Sequence, residues 1–201
     1  VSTPSTTLLV VDVPPDFCEG GALAVPGGDA VAEAIARLVR EGGYGHVVTT
    51  QDWHVDPGPH FSAEPDLVDS WPPHCRAGSP GAALHPALPL DLVEAQFRKG
   101  AHAAAYSGFE ASTDDVADDG SVAAVGLAQW LAVRDVAAVD VVGIATDHCV
   151  RATALDAVSA GFATRVLLDL TAGVAADSTK RALDVMRAAG VTLVGQPVTT
   201  G

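Results

Sequence analysis

Residues 139–161 read VDVVGIATDHCVRATALDAVSAG, and the change of character inside this stretch decides the fold. Val139 to Ala145 is apolar and β-branched without polar alternation, as a strand buried on both faces of a parallel sheet must be. Cys149 to Ala160 then reads as a helix that Gly161 closes. The same unit opens the chain. Thr6 to Val13 (TTLLVVDV) is a strand, and Asp29 to Glu41 places Val31, Ile35, Leu38 and Val39 at helical spacing before Gly42-Gly43. His46 to Thr50 gives a second strand and Glu94 to Phe97 a third. Ser121 to Val136, carrying Val122, Val125, Leu127, Trp130 and Leu131, reads as the helix that leads into Val139. Downstream come a strand at Arg165 to Leu170, a helix at Asp177 to Ala189 capped by Asp177 or Ser178, and a last strand at Val191 to Val194. This alternation predicts one α/β domain over 1–201, an open, mostly parallel six-stranded sheet in the order 3-2-1-4-5-6 with helices on both faces.

A chain of 201 residues supports one such core rather than two. Asp and Glu number 25 against 11 Lys and Arg, a net charge of −14. No basic cluster is available to meet phosphates, which excludes nucleic acid and an anionic membrane surface as partners. The 48% hydrophobic content excludes disorder. Every apolar run breaks before the ~18 residues of a membrane span, and no secretory leader opens the sequence. Cys18, Cys75 and Cys149 are odd in number and form no CxxC pair, which points to a reduced cytoplasm, with the protein a monomer or small homo-oligomer. The segment PPDFCEGGALAVPGG fits neither the dinucleotide nor the phosphate-loop fingerprint. Asp114 to Gly120 (DDVADDG) reads as a solvated loop. Residues 53–92 are rich in Pro and His and lack periodicity; their Trp, His and Phe content marks an ordered functional loop.

In an open doubly wound sheet, ligands sit beyond the carboxyl ends of the strands where strand order reverses. Here that crevice lies between the first and fourth strands, which end at Asp12 and at Thr146-Asp147-His148-Cys149. A lone cysteine at a helix start is more often a small buried residue than a nucleophile. Three neighbours change that reading. Thr146 or Asp147 is placed to cap the helix, whose free N–H groups stabilise a thiolate. Asp12 supplies a base, and Lys99, one of only two lysines, ends the third strand at the same sheet edge. A second constellation, Asp52-Trp53-His54 with His60 and His74, offers a nitrogen-rich shell with one carboxylate. Such a shell suits one divalent transition metal, Zn, Fe or Mn, better than Ca or Mg. His46, His85, His102 and His148 are assigned to structure or surface, His148 being ambiguous because it adjoins the thiol.

Six stretches together resemble the nicotinamidase/pyrazinamidase family of isochorismatase-like cysteine hydrolases, its actinobacterial pyrazinamidases above all: VDVPPDFCEGGALAVPGG, QDWHVDPGPHFS, SWPPHCRAGSPGA, FRKGAHAAAYSGFE, VVGIATDHCVRATALDA and ATRVLLDLTAGVAADST. The resemblance implies a catalytic triad of Asp12, Lys99 and Cys149 and metal ligands Asp52, His54, His60 and His74. It further implies that Phe17 and Trp71 sandwich a pyridine or pyrazine ring with Tyr106 and Ile144 nearby. A cis Ile144–Ala145 bond would turn the Ala145 and Cys149 N–H groups into an oxyanion hole. The implied reaction is hydrolysis of a small aromatic carboxamide, nicotinamide or pyrazinamide, through a cysteine thioester. Pro14-Pro15 stand where the family has Gln-Asn, in the loop that positions Asp12 and Phe17. Two alternatives stay open: an amidase of the same superfamily for another small carboxamide, and a non-catalytic metal- or thiol-binding relative disabled by those prolines.

Overall fold

The computed structural model describes residues 6–116 and 122–199. Strands β1 (Thr6–Val11), β2 (His46–Asp52) and β3 (Ala95–Lys99) are followed by β4 (Ser112–Val116), β5 (Val122–Gly126), β6 (Ala138–Ile144), β7 (Ala163–Ala172) and β8 (Thr192–Val194). They form one sheet in the order β5-β4-β3-β2-β1-β6-β7-β8. The six strands β3-β2-β1-β6-β7-β8 pair in parallel, in the spatial order read from the sequence.

The expected six strands are eight. The two additional ones, β4 and β5, pair antiparallel with each other, and β4 joins β3 through Arg98 and Ser112. Val122 to Gly126 therefore extends as strand instead of opening a helix, and only Leu127–Ala132 is helical (α2). Val122 and Val125 fit either reading over so short a run, and Gly126, costly inside a helix, is extended at φ −73° and ψ 153°. The acidic stretch expected as a loop begins inside β4; 117–120, and Ser121 of the expected helix, lie outside the described residues.

Burial on both sides explains the unalternating strands. Leu8, Val10, Val142 and Ile144 pack with Val31, Ile35 and Val39 of helix α1 (Gly28–Glu41) on one face. On the other, Leu9, Val11, Val139 and Val141 meet Trp130 and Leu131 of α2, Ala154 of α3 (Arg151–Ser159) and Met186 of α4 (Ala176–Ala188). Each large aliphatic side chain so buried contributes about 1.5–3 kcal/mol relative to exposure. Between β1 and β6, Gly143 has φ +120°, and a Cβ there would lie 1.9 Å from the Val11 carbonyl oxygen. Only glycine lets these two central strands approach so closely at the end that carries the site.

Candidate active site

Asp12 follows β1 directly, with φ 43°, and is fully buried. Its backbone N–H donates to Thr50 Oγ1 (3.2 Å), and the Thr50 hydroxyl donates to Asp12 Oδ1 (2.6 Å). Lys99, the last residue of β3, stands in register with Asp52, the last of β2. Its buried ammonium meets Asp12 Oδ2 at 2.8 Å, pairs with Asp52 Oδ1, and donates to the Ala105 carbonyl at 3.1 Å. Three protons thus face three oxygens, with Cys149 Sγ 3.8 Å away. Asp12, Asp52 and Cys149 present atoms all within 4.8 Å of one another.

Burial alone would lower the pKa of Lys99, but Asp12 and Asp52 outweigh it and hold the ammonium well above the ordinary lysine range. Burial likewise tends to raise Asp52, yet Lys99 and His54 hold it below the usual carboxylate range. Asp12 goes the other way: burial raises it despite Lys99. The Cys149 thiol is also pushed well above its ordinary value by burial, with Asp12 and Asp52 adding to the effect against Lys99. Desolvation thus opposes the thiolate that the helix terminus would favour. That terminus also differs in shape. Thr146–Val150 forms one turn of π-helix ahead of α3, with no side-chain cap. Thr146 bonds Thr171 (2.9 Å), and Asp147 accepts from Val174 N (3.0 Å), Ala175 N (3.4 Å) and Ser178 Oγ. Ser178 and Asp177 do not cap α4 either, whose N-cap is Ala175. The Ile144–Ala145 peptide is cis, and the Ala145 carbonyl accepts from His148 N and Val150 N, closing the turn that carries the thiol.

The 53–92 loop is ordered by two short parallel bridges, His54 with Arg76 and Phe61 with Trp71. They draw His54, His60 and His74 together, with one ligating atom from each within 4.8 Å of the others. His54 Nδ1 lies 2.6 Å from the Gly100 carbonyl and His74 Nδ1 2.8 Å from that of Pro72, contacts that aim the far side of each ring. His54 Nε2 and His60 Nδ1 are buried without a hydrogen-bond partner, and Asp52 Oδ2 is 3.7 Å from His54 Nε2. Burial lowers His60, to about 4, and His74, which keeps both imidazoles neutral at pH 7, the form that binds metal. Three clustered imidazoles, two of them with an orphaned buried nitrogen, and the Asp52 carboxylate beside His54 fit a divalent transition metal.

Above the thiol lies a cavity of about 430 Å³ including its open mouth. Phe17, Trp71, Tyr106 and Ile144 line it with Ala145 and Cys149, and Trp71 Nε1 donates to Tyr106 Oη at 3.1 Å. Asp52, His60 and His74 reach the same space. The sequence reading missed the apolar walls Leu23, Val25 and Val174, aliphatic residues within the quoted stretches that carry no reactive group, and left His148 undecided; it lines the cavity with its ring against Trp71. It also missed Thr50 and the Gly100 and Pro72 carbonyls, since a backbone oxygen leaves no mark in composition. Pro14 and Pro15 fall at the N-cap and first position of a 3-10 turn, Pro15–Phe17, where no backbone donor is needed. Phe17 N still bonds the Pro14 carbonyl at 3.0 Å. Cys18 and Cys75 are free and buried, and burial first of all pushes the Cys18 thiol up to about 12 and Cys75 further.

The model of the isochorismatase domain matches residues 6–197. The chain belongs to the isochorismatase family. Within it, the chain is 57% identical over 188 residues to a nicotinamidase/pyrazinamidase of Mycobacterium tuberculosis, covering 93% of this chain and 97% of the relative. A nicotinamidase of Escherichia coli is 35% identical, with 94% of each chain covered. Among solved structures, PnC1 from L. infantum in complex with nicotinate superposes with a TM-score of 0.82 at 34% identity, covering 100% of this chain and 98% of that one. The pyrazinamidase of Pyrococcus horikoshii in complex with zinc gives 0.77 at 36% identity, covering 95% and 99%.

Proposed function

We propose that this family member is a metal-dependent nicotinamidase/pyrazinamidase, hydrolysing nicotinamide to nicotinate and ammonia and pyrazinamide to pyrazinoate. The observation that carries the reading is the convergence of Asp12, Lys99 and Cys149 on an aromatic-walled cavity that three imidazoles also enter or adjoin. Relatives bearing these activities, and structures holding nicotinate or zinc, support it.

In this reading Asp12, raised toward a proton-accepting pKa by burial, takes the Cys149 proton as the sulfur attacks the carboxamide carbon. Lys99 keeps the charge of Asp12 and the forming thiolate tolerable in a water-poor site. The tetrahedral oxyanion is held by the Ala145 and Cys149 N–H groups, each typically contributing about 3–4 kcal/mol. Asp12 returns the proton to the leaving nitrogen, ammonia departs, and a thioester remains. Water then attacks the acyl carbon, giving its proton to Asp12 and on to the sulfur as the C–S bond breaks; the acid leaves and the thiol is restored. Asp52, His54, His60 and His74 hold one divalent ion, Zn, Fe or Mn, which when bound supplies an anchor for the ring nitrogen and so orients the carboxamide. Phe17 and Trp71 hold the ring flat, and Tyr106 fixes Trp71 through its hydroxyl. A cytoplasmic location, one domain and a monomer or small homo-oligomer belong to the same proposal; among the described residues no helix is long and apolar enough to cross a membrane.

Ammonia release from nicotinamide by the metal-replete protein tests the reading. Release is expected from the unmutated chain, at least a thousandfold less from Cys149→Ala (~10³ or more for a lost covalent route), and little after chelation. No ammonia from the metal-replete protein overturns the activity; full activity in Cys149→Ala overturns the thioester.

A further inference from the structure

A second, outer cleft of about 920 Å³, counted with its open mouth, lies beside the substrate cavity, and His60 lines both. Its rim carries the exposed carboxylates of Asp56 and Asp69 and the exposed imidazole of His102. The proposed chemistry uses none of these three. Of the clustered imidazoles, His54 and His74 are each fixed by a backbone carbonyl at Nδ1. His60 is 4% exposed, its buried Nδ1 has no partner, and neither of its ring nitrogens makes a hydrogen bond among the described residues. It sits at the end of a 3-10 turn, Gly58–His60, held by packing against His54, Phe61 and Tyr106.

We propose that the outer cleft is the loading path by which a hydrated divalent cation reaches the three imidazoles, with Asp56, Asp69 and His102 capturing it and His60 handing it inward. The inference rests on the metal-site reading above. A transition-metal ion gives up its waters stepwise as protein ligands replace them. Carboxylates and one imidazole at a solvent-facing rim supply the first replacements, and a ring free of hydrogen bonds supplies the next without breaking one. A chain of net charge −14 draws cations generally, and two carboxylates at the mouth of a cleft concentrate that field where entry is needed. No oxidant or proton donor is required, since water is exchanged for neutral imidazole and carboxylate.

The test is the rate at which chelator-stripped protein takes Zn²⁺ from a chromogenic chelator, with the final zinc content measured by mass spectrometry. Asp56→Asn, Asp69→Asn and His102→Gln combined are expected to slow uptake about tenfold, the low end of what local charge does to cation encounter. They should also flatten its dependence on salt, while leaving the final content at one ion per chain. Unchanged uptake with unchanged salt dependence overturns the path. So does a final content lowered without slower uptake, which would make these residues holders of the ion. His54→Ala serves as the separate check on the metal site: it should lose the ion whatever the path. If the unmutated chain takes up no zinc and His54→Ala behaves identically, the metal-site reading falls and the path with it.

Discussion

The Thr50 hydroxyl shows how one uncharged group supports a buried carboxylate. It accepts from the Asp12 backbone N–H and donates to Oδ1, so it sets both the backbone and the side chain of the proposed base. Thr50→Val keeps the shape and removes both bonds. A hydrogen bond to a charged group is worth about 1.5–3 kcal/mol, so kcat/KM for nicotinamide should fall roughly 10- to 100-fold with metal content unchanged. Thr50→Ser should recover most of the loss. Equal kinetics for Thr50→Val and the unmutated chain would show that Lys99 alone positions Asp12. Asp12, Lys99 and Cys149 were legible in the sequence because each ends or follows a strand in a motif of its own. Thr50 was not, because it is one of two threonines in an apolar strand and only the register with β1 brings it to Asp12.

At the scale of elements, the π-turn bearing Cys149 and the start of α4 are joined through Asp147. Burial alone would raise this carboxyl, but His148, Ser178 Oγ and the Val174 N–H hold it at about 2, below the ordinary 3.8. A carboxylate depressed by folding stabilises fully above its unfolded pKa, and the contribution disappears as pH falls through the folded value. Asp147→Asn should therefore unfold more easily by about 1–2 kcal/mol at pH 7, by less at pH 3, by only a few tenths near pH 2, and not at all near pH 1. Denaturant midpoints across that range would check it; a difference independent of pH would assign the loss to shape rather than charge. The helices and parallel strands were readable from hydrophobic period and glycine stops. The caps were not: Asp147 serves a helix that begins 29 residues later, and Ser178 bonds Asp147 where local spacing suggests a cap. The β4–β5 pair was missed because its strands are short and partly charged, and because antiparallel pairing at a sheet edge needs no long apolar run.

For the whole molecule, the sheet distributes stability unevenly. β1 and β6 are central and buried on both faces, whereas β4 and β5 form the far edge and reach β3 by the Arg98–Ser112 pairing. Amides of Leu8 to Val11 and of Val139 to Val142 should exchange with deuterium only on global unfolding, and those of β4 and β5 orders of magnitude sooner. Uniform protection across all eight strands would contradict this gradient. The same strand order has a temporal consequence. β6 lies beside β1 although about 130 positions separate them along the chain, so Cys149 meets Asp12 only after about three-quarters of the polypeptide exists. His54, His60, His74, Asp52 and the carbonyls of Pro72 and Gly100 that aim two of the rings all precede residue 101. During synthesis, every proposed ligand for the ion leaves the ribosome before the reactive sulfur does. In chain order the proposed metal ligands are complete before the proposed nucleophile is made.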